Sequence, residues 1–241
     1  MSLFALWAVR GFPRGMCNHY RPGQKKWIRV DAERLAARAG KLITLPLELP
    51  EMTEQVFPKG LAPIILQTGG DAQLVAKTWG VPLTIKGAKG QPLIKAVANA
   101  RNDKLGSYPW RYSTQERRCL IPATGYFEPG LGPAGIKGEI LFTVKGRPEF
   151  FLAGLWEGDT FTMVTTEPNE FVRQFHDRMP VVLSDEDARA WLGESPLPAD
   201  ELQRLCRGLP TDALDHETLP PKLKITRIGT KGSSDPATAD F

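Results

Sequence analysis

Four short stretches of the chain carry polar groups of the kinds that do chemistry: MCNHY at 16–20, NAR at 99–101, GYFE at 125–128 and HDRMP at 176–180. Together they supply a thiol (Cys17), a carboxamide (Asn99), a carboxylate (Glu128) and an imidazole (His176), with Arg101 and Arg178 close behind in sequence. A thiol is a strong nucleophile once deprotonated. An imidazole and a carboxylate held in different environments can divide acid and base work near neutrality. Two arginines can grip an anion through their planar forks. Each group taken alone also has an ordinary use: an asparagine makes turns, a glutamate ends a strand in solvent, a histidine sits satisfied in a core. The pair Cys17-x-His19 has no second pair at ligand spacing, so no zinc site is expected, and no organic cofactor is implied.

The chain that must position these groups has 241 residues, enough for a sizeable core in one domain. Its 31 basic and 27 acidic residues leave a formal charge of only +4, too little to announce a nucleic-acid partner. The distribution is more telling. Arg21, Lys25, Lys26 and Arg29 form one basic cluster, Lys104, Arg111, Arg117 and Arg118 a second, and Lys222, Lys224, Arg227 and Lys231 a third. The three cysteines, Cys17, Cys119 and Cys206, are too few and too scattered for a disulfide framework, which suits a reducing, cytoplasmic setting. The first fifteen residues fit neither a secretory signal nor a membrane span, and no other stretch approaches the length of a span.

Along the chain, DAERLAARAG at 31–40 reads as a short helix capped by Asp31 and closed by Gly40. β-favouring runs follow at 62–67, 73–80, 118–128, 139–146, 149–158 and 160–167, divided by tight turn signals. EPNEFVRQF after Thr166 suits a helix, MPVVLS at 179–184 a strand, and SDEDARAWLG a helix with Ser184 as N-cap and Asp187 three residues on. ADELQRLCRG reads as another amphipathic helix, KLKITRIG as a late strand, and the last residues, 231–241, as a flexible polar tail. Cys119 and Cys206 sit among apolar neighbours and read as buried packing residues, and His216 as a loop residue. Many short strands with scattered helices, and no regular βαβ alternation, predict a single compact α+β domain on a mostly antiparallel sheet.

Taken in order, MCNHY, KTWG at 77–80, VANAR at 97–101, RRCLIPATGYFE at 117–128, AGLWE at 153–157, TFTMVTTEPNE at 160–170 and HDRMPVVL at 176–183 resemble the SRAP family (SOS response-associated peptidase). Its members attach covalently to abasic sites in DNA. The resemblance runs from Met16 to about Leu192. It implies a barrel-like sheet surrounded by short helices, and a reactive cysteine directly after the initiator methionine, here Cys17. It implies that Asn99 holds the abasic sugar or the terminal residue, that Glu128 shuttles protons, and that His176 assists sugar ring opening and adduct reversal. Arg101 and Arg178 would grip flanking phosphates, Thr165 would add a hydroxyl contact, and Asn18 and His19 would lie beside the nucleophile on the DNA. Trp79 is a candidate platform for a neighbouring base.

A terminal cysteine suits an aldehyde, the ring-opened form of an abasic sugar. The free α-amine condenses to an imine, which the thiol of the same residue attacks to close a five-membered thiazolidine. If Met16 stays attached, the Cys17 nitrogen is an amide with a delocalised lone pair and cannot form the imine. Residues 1–16 are therefore expected to be an extension absent or removed in the active protein, with the domain at 17–230. The chain departs from the family's usual pattern at Asn18 and His19, where glycine and arginine are common, at Asp103 for glutamate, and at Pro129 for tryptophan. The expected partner is single-stranded DNA containing abasic sites, with the protein monomeric, off the membrane, and cytoplasmic or nucleoid-associated. A cysteine or N-terminal-nucleophile peptidase, including self-removal of residues 1–16, a lyase-like activity, and a non-covalent single-strand binder remain as alternatives.

Overall fold

The structure is a computed structural model that describes residues 19–24, 43–44, 53–131 and 137–219. Cys17, Asn18, the helix expected at 31–40, the late strand at 222–229 and the tail lie outside the described residues.

Strands dominate. The long runs read from the sequence become β3 (Leu61–Thr68), β4 (Asp71–Trp79), β8 (Arg118–Leu131), β9 (Lys137–Val144), β10 (Phe150–Glu157) and β11 (Thr160–Thr166). Shorter strands flank them: β1 (His19–Pro22), β2 (Ile43–Thr44), β5 (Val81–Lys86), β6 (Pro92–Val97), β7 (Asn99–Arg101), β12 (Met179–Pro180), β13 (Val182–Leu183) and β14 (Leu214–Leu219). All but β5 and β6 join one mixed sheet, antiparallel except where β11 meets β4 and β7 and where β2 meets β4. The pairings β8–β10–β11–β4–β3–β8 return on themselves, so part of the sheet is ringed. β10 is an almost unbroken apolar run, FFLAGLWE, because it has partners on both edges and core on both faces.

The alternation of side chains along each strand sorts the core into two clusters. Cys119, Ile121, Ala123, Phe150 and Leu152 join Trp79, Tyr126, Phe142 and Phe161 on one side. Leu120, Phe151, Ala153 and Leu155 face the other, where Trp191, Ala188, Leu205 and Cys206 cover them. That cover comes from α2 (Asp185–Leu192) and α3 (Ala199–Leu205), with α1 (Arg111–Glu116) packed nearby on β10 and β8. The cap read for α2 holds: Ser184 Oγ accepts the Asp187 N–H at 3.0 Å. Arg118 is 5 % exposed and donates to the carbonyls of Thr114, Gln115, Trp191, Gly193 and Ser195. A buried cation is thus held by the carbonyl ends of two helices, which face it with the negative poles of their dipoles.

Three expectations need correction. Residues 167–175 make a single 3-10 turn (Val172–Gln174) instead of a longer helix: the Asn169 side chain opens it by accepting the Val172 N–H at 2.8 Å, and the chain must leave it to enter β12 at Met179. His216 lies on β14 opposite Phe142 of β9, not in a loop, and its ring packs on Phe171. Arg118 is a buried staple and leaves the second basic cluster. Cys119 and Cys206 are buried, as read.

Candidate active site at the end of β8

Glu128 lies near the end of β8, 1 % exposed. A buried carboxylate requires polar compensation, and His176 supplies part of it: its Nε2 lies 3.9 Å from Glu128 Oε2. The segment that carries the imidazole is anchored by aromatic packing next to it. Tyr126 stacks on Phe142 with centroids 5.1 Å apart, Phe142 meets Phe171 and Phe175 edge-on, and Phe175 directly precedes His176. The backbone adds a tie, since the His176 N–H donates to the Val172 carbonyl at 2.9 Å. Gly125 lets β9 come this close: a Cβ there would meet Leu141 Cδ1 at 2.6 Å and the Phe142 carbonyl oxygen at 2.9 Å.

β7 brings the second group of residues. Ala100 is fully buried, so Asn99 and Arg101 point to the opposite face of the strand. Thr165 of β11 stands opposite both Arg101 of β7 and Pro180 of β12. This strand end therefore lies between NAR and the segment that carries His176 and Arg178. Arg178 closes the junction: its Nη2 donates to Asn102 Oδ1 at 2.7 Å and to the Thr165 carbonyl at 2.6 Å. Asn102 in turn donates from Nδ2 to Thr166 Oγ1 at 3.2 Å.

The two guanidiniums have different surroundings. Arg178 is 6 % exposed, and burial first, then the nearby Arg101 charge, holds its pKa below the usual arginine range. Its Nε, buried, has no partner among the described residues. Arg101 is half exposed and forked onto Asp103, Nε to Oδ1 at 2.9 Å and Nη2 to Oδ2 at 3.1 Å, which raises its pKa and lowers that of Asp103. The two arginines lie close enough for the charge of Arg101 to lower the pKa of Arg178, and planar forks of this kind can hold an anion.

Three candidates do not face this site as expected. Trp79 is fully buried, its Nε1 donating to the Ala98 carbonyl at 2.8 Å and its ring packed on Tyr20 and Phe161. A base cannot stack on a ring that exposes no face, so Trp79 supports the residue before Asn99 instead. His19 is 1 % exposed and lies between Phe57 and Phe127, at 4.6 and 4.2 Å between centroids, with Nε2 3.3 Å from Glu139. It packs the start of β1 onto β8 and offers no open surface to DNA. Thr165 is likewise buried, its Oγ1 3.5 Å from the Ala100 carbonyl oxygen.

The model of the SOS response associated peptidase (SRAP) family matches residues 16–224. The chain belongs to the SRAP family. Among SRAP relatives, the abasic site processing protein YoaM of Bacillus subtilis (strain 168) is 33 % identical over 186 residues, covering 68 % of this chain and 80 % of YoaM. The abasic site processing protein YoqW of the same organism is 34 % identical over 163 residues, 64 % of this chain and 71 % of YoqW. A crystal structure of a protein from Bacteroides thetaiotaomicron superposes on this SRAP chain with a TM-score of 0.64 at 25 % identity, covering 84 % of this chain and 92 % of that one. Among the described residues of the SRAP domain, no helix is long and apolar enough to cross a membrane.

Two positioning residues escaped the sequence reading. Asn102 organises Arg178, and Asn169 closes the turn that presents His176, with its Nδ2 also tied to the Leu209 carbonyl at 2.9 Å. Asn102 adjoins the NAR motif and Asn169 lies within TFTMVTTEPNE, so proximity to the matched segments was the available signal.

Proposed function

We propose that this chain is a DNA-damage protein that processes abasic sites in single-stranded DNA, capturing the lesion covalently at Cys17. The observation that carries the reading is the buried Glu128–His176 pair beside the start of β1. His19 pairs with Phe127, the neighbour of Glu128, and Cys17 is two residues before His19.

The reaction starts on the ring-opened sugar. The α-amine of Cys17 adds to the C1′ aldehyde and loses water, giving an imine; the thiolate then adds to the imine carbon and the nitrogen takes up a proton, closing the thiazolidine. Each step moves a proton at one small volume, which is the work of an imidazole and a carboxyl held face to face. Asn99 holds the sugar, and Arg178 with Arg101 holds the flanking phosphates, the first with hydrogens left over from its inward bonds and the second by exchanging Asp103 for phosphate. The names of the relatives YoaM and YoqW support the same substrate class. The working chain begins at Cys17, because only then is its nitrogen an amine. The acid–imidazole pair also suits an attack of the thiol on the Met16–Cys17 peptide, so self-removal of residues 1–16 is the second reading.

The test uses an abasic oligonucleotide and two polypeptides, one starting at Met1 and one at Met16 with the methionine trimmed. The expected result is a denaturation-resistant adduct from the trimmed form, one water molecule lighter than the sum of its parts, since the ring-closed hemiacetal and the free aldehyde are isomers and only imine formation releases water. No adduct from a verified Cys17 terminus would sink the proposal. An untrimmed form that shortens itself to Cys17 during the incubation supports the second reading as well.

A further inference from the structure

β5 and β6 stand apart from the main sheet as a two-stranded ribbon, paired from Val81↔Val97 to Lys86↔Pro92. Its base is fixed. Val81 is buried, Leu83 and Val97 pack on the helix-side core, and Gly80 turns the chain into the ribbon with φ +123°, where a Cβ would meet Ala96 at 3.0 Å. Its outer half is different. Lys86, Lys89 and Lys95 are exposed around the tip, and Ile94 (73 % exposed) and Leu93 (51 %) project among them. Residues 72–102 hold five basic side chains, Lys77, Lys86, Lys89, Lys95 and Arg101, and not one aspartate or glutamate, in a chain with 27 acids. The ribbon also points from the site: β6 ends at Val97, two residues before Asn99 opens β7.

We propose that this ribbon is a nucleic-acid-binding arm that lies along the sugar–phosphate backbone of the strand flanking the captured sugar, its lysines on phosphates and Ile94 against a sugar or base. The inference rests on the function proposed above and extends it, since none of these residues takes part in the chemistry. A six-residue strand spans about 20 Å, which carries the contact several phosphates beyond the sugar held at Asn99. Lysines on the unpaired edges of a ribbon also discourage edge-to-edge pairing. That role places no demand on acids being absent over 31 residues, nor on leaving two large aliphatic side chains in water among the cations.

The experiment separates the arm from the chemistry. In one measurement the trimmed protein and the triple variant Lys86→Gln, Lys89→Gln, Lys95→Gln bind an unmodified single-stranded oligonucleotide, which has no aldehyde, across 25–200 mM salt as a titration series chosen at roughly the range where counterion release is steep. Three lost phosphate contacts should weaken binding about tenfold or more at the low end and reduce the log–log salt slope by about 2. The matching triple Lys→Arg variant should keep the wild-type slope. In the second measurement, adduct yield from saturating abasic oligonucleotide should be the same for wild type and both variants. A Gln variant with wild-type affinity and slope overturns the arm and leaves edge protection, in which case it self-associates on sizing columns. A wild-type protein that binds the unmodified strand but forms no adduct refutes the proposed chemistry without touching the arm.

Discussion

His176 turns its Nε2 toward Glu128 Oε2 at 3.9 Å, while its Nδ1 accepts the backbone N–H of Arg178 at 3.1 Å. An amide N–H can only donate, so this bond places the imidazole hydrogen on Nε2, facing the acid. Asp177 Oδ1 is also 3.1 Å from Nδ1, and it can accept a hydrogen there only when Nδ1 carries one and the Arg178 bond is given up. The pair thus has a resting tautomer and a ready partner for its charged form. Replacing Glu128 by Gln keeps the shape and removes the base. The rate of adduct formation should fall by about a hundredfold or more, the usual worth of positioned proton transfer, with affinity for an unmodified strand changed less than about threefold. His176→Asn should do the same. Single-turnover gels beside anisotropy titrations read both quantities, and equal losses in the two would make the pair a binding element only.

Asp103 occupies the Arg101 fork that the proposed function requires for a phosphate. Replacement by Asn removes the competitor and one negative charge from the site. Single-strand affinity should rise about threefold to tenfold at low salt, and the gain should vanish at high salt. Stability should move by less than about 1 kcal/mol, because both side chains are roughly half exposed and such pairs are screened. Tighter binding without salt dependence, or none at all, would mean that Arg101 does not meet the backbone.

The sequence showed most plainly what the core demands. The runs around 118–128, 139–146, 149–158 and 160–167 are legible because their apolar residues fill both sides of a ringed sheet. The helix at 185–192 is legible because Ser184 caps it chemically. β14, LDHETL, is nearly all exposed and is a strand only by pairing with β9, which no local pattern encodes. The β5–β6 ribbon escaped for a similar reason, since its apolar residues serve a base at one end and solvent at the other. At the site, Glu128 and His176 were identified by motif, but their meeting depends on the Phe142–Phe175 contact between distant strands and turns. Trp79 misled because an aromatic beside a polar motif looks the same whether it faces DNA or holds the backbone from behind.

Burial lifts the Cys119 thiol far above the ordinary cysteine pKa and pushes that of Cys206 up to about 12. At pH 8 a soluble alkylating reagent should therefore modify Cys17 in the folded protein and leave the other two intact, as peptide mass mapping would show; brisk labelling of Cys119 would contradict its burial. The same shifts make stability depend on pH. The unfolded chain loses these protons near pH 9 while the folded chain keeps them, so the full contribution is present below pH 9 and declines as pH rises toward the folded values. Each thiol should contribute a slope of about 1.4 kcal/mol per pH unit in that window. Urea midpoints from pH 8 to 11 should accordingly fall more gently in a Cys119→Ala, Cys206→Ala variant than in the wild type.

Trp79 donates from Nε1 to the Ala98 carbonyl, one residue before Asn99, so its substitution separates a base platform from a backbone support. Phenylalanine preserves most of the packing against Tyr20 and Phe161 but cannot make that bond, and the Ala98 carbonyl keeps only the Met163 N–H, at 2.9 Å. Trp79→Phe should lose about 0.5–1.5 kcal/mol of stability, a drop of roughly 1–6 °C in Tm for a domain of this size. Affinity for an unmodified single strand should stay within about twofold, because the ring meets no solvent. Adduct formation should slow modestly, and more for short abasic oligonucleotides, where Asn99 has less flanking backbone to help place the sugar. A variant of unchanged Tm that loses single-strand affinity would restore Trp79 to the DNA surface and require the β4–β5 junction to open on binding.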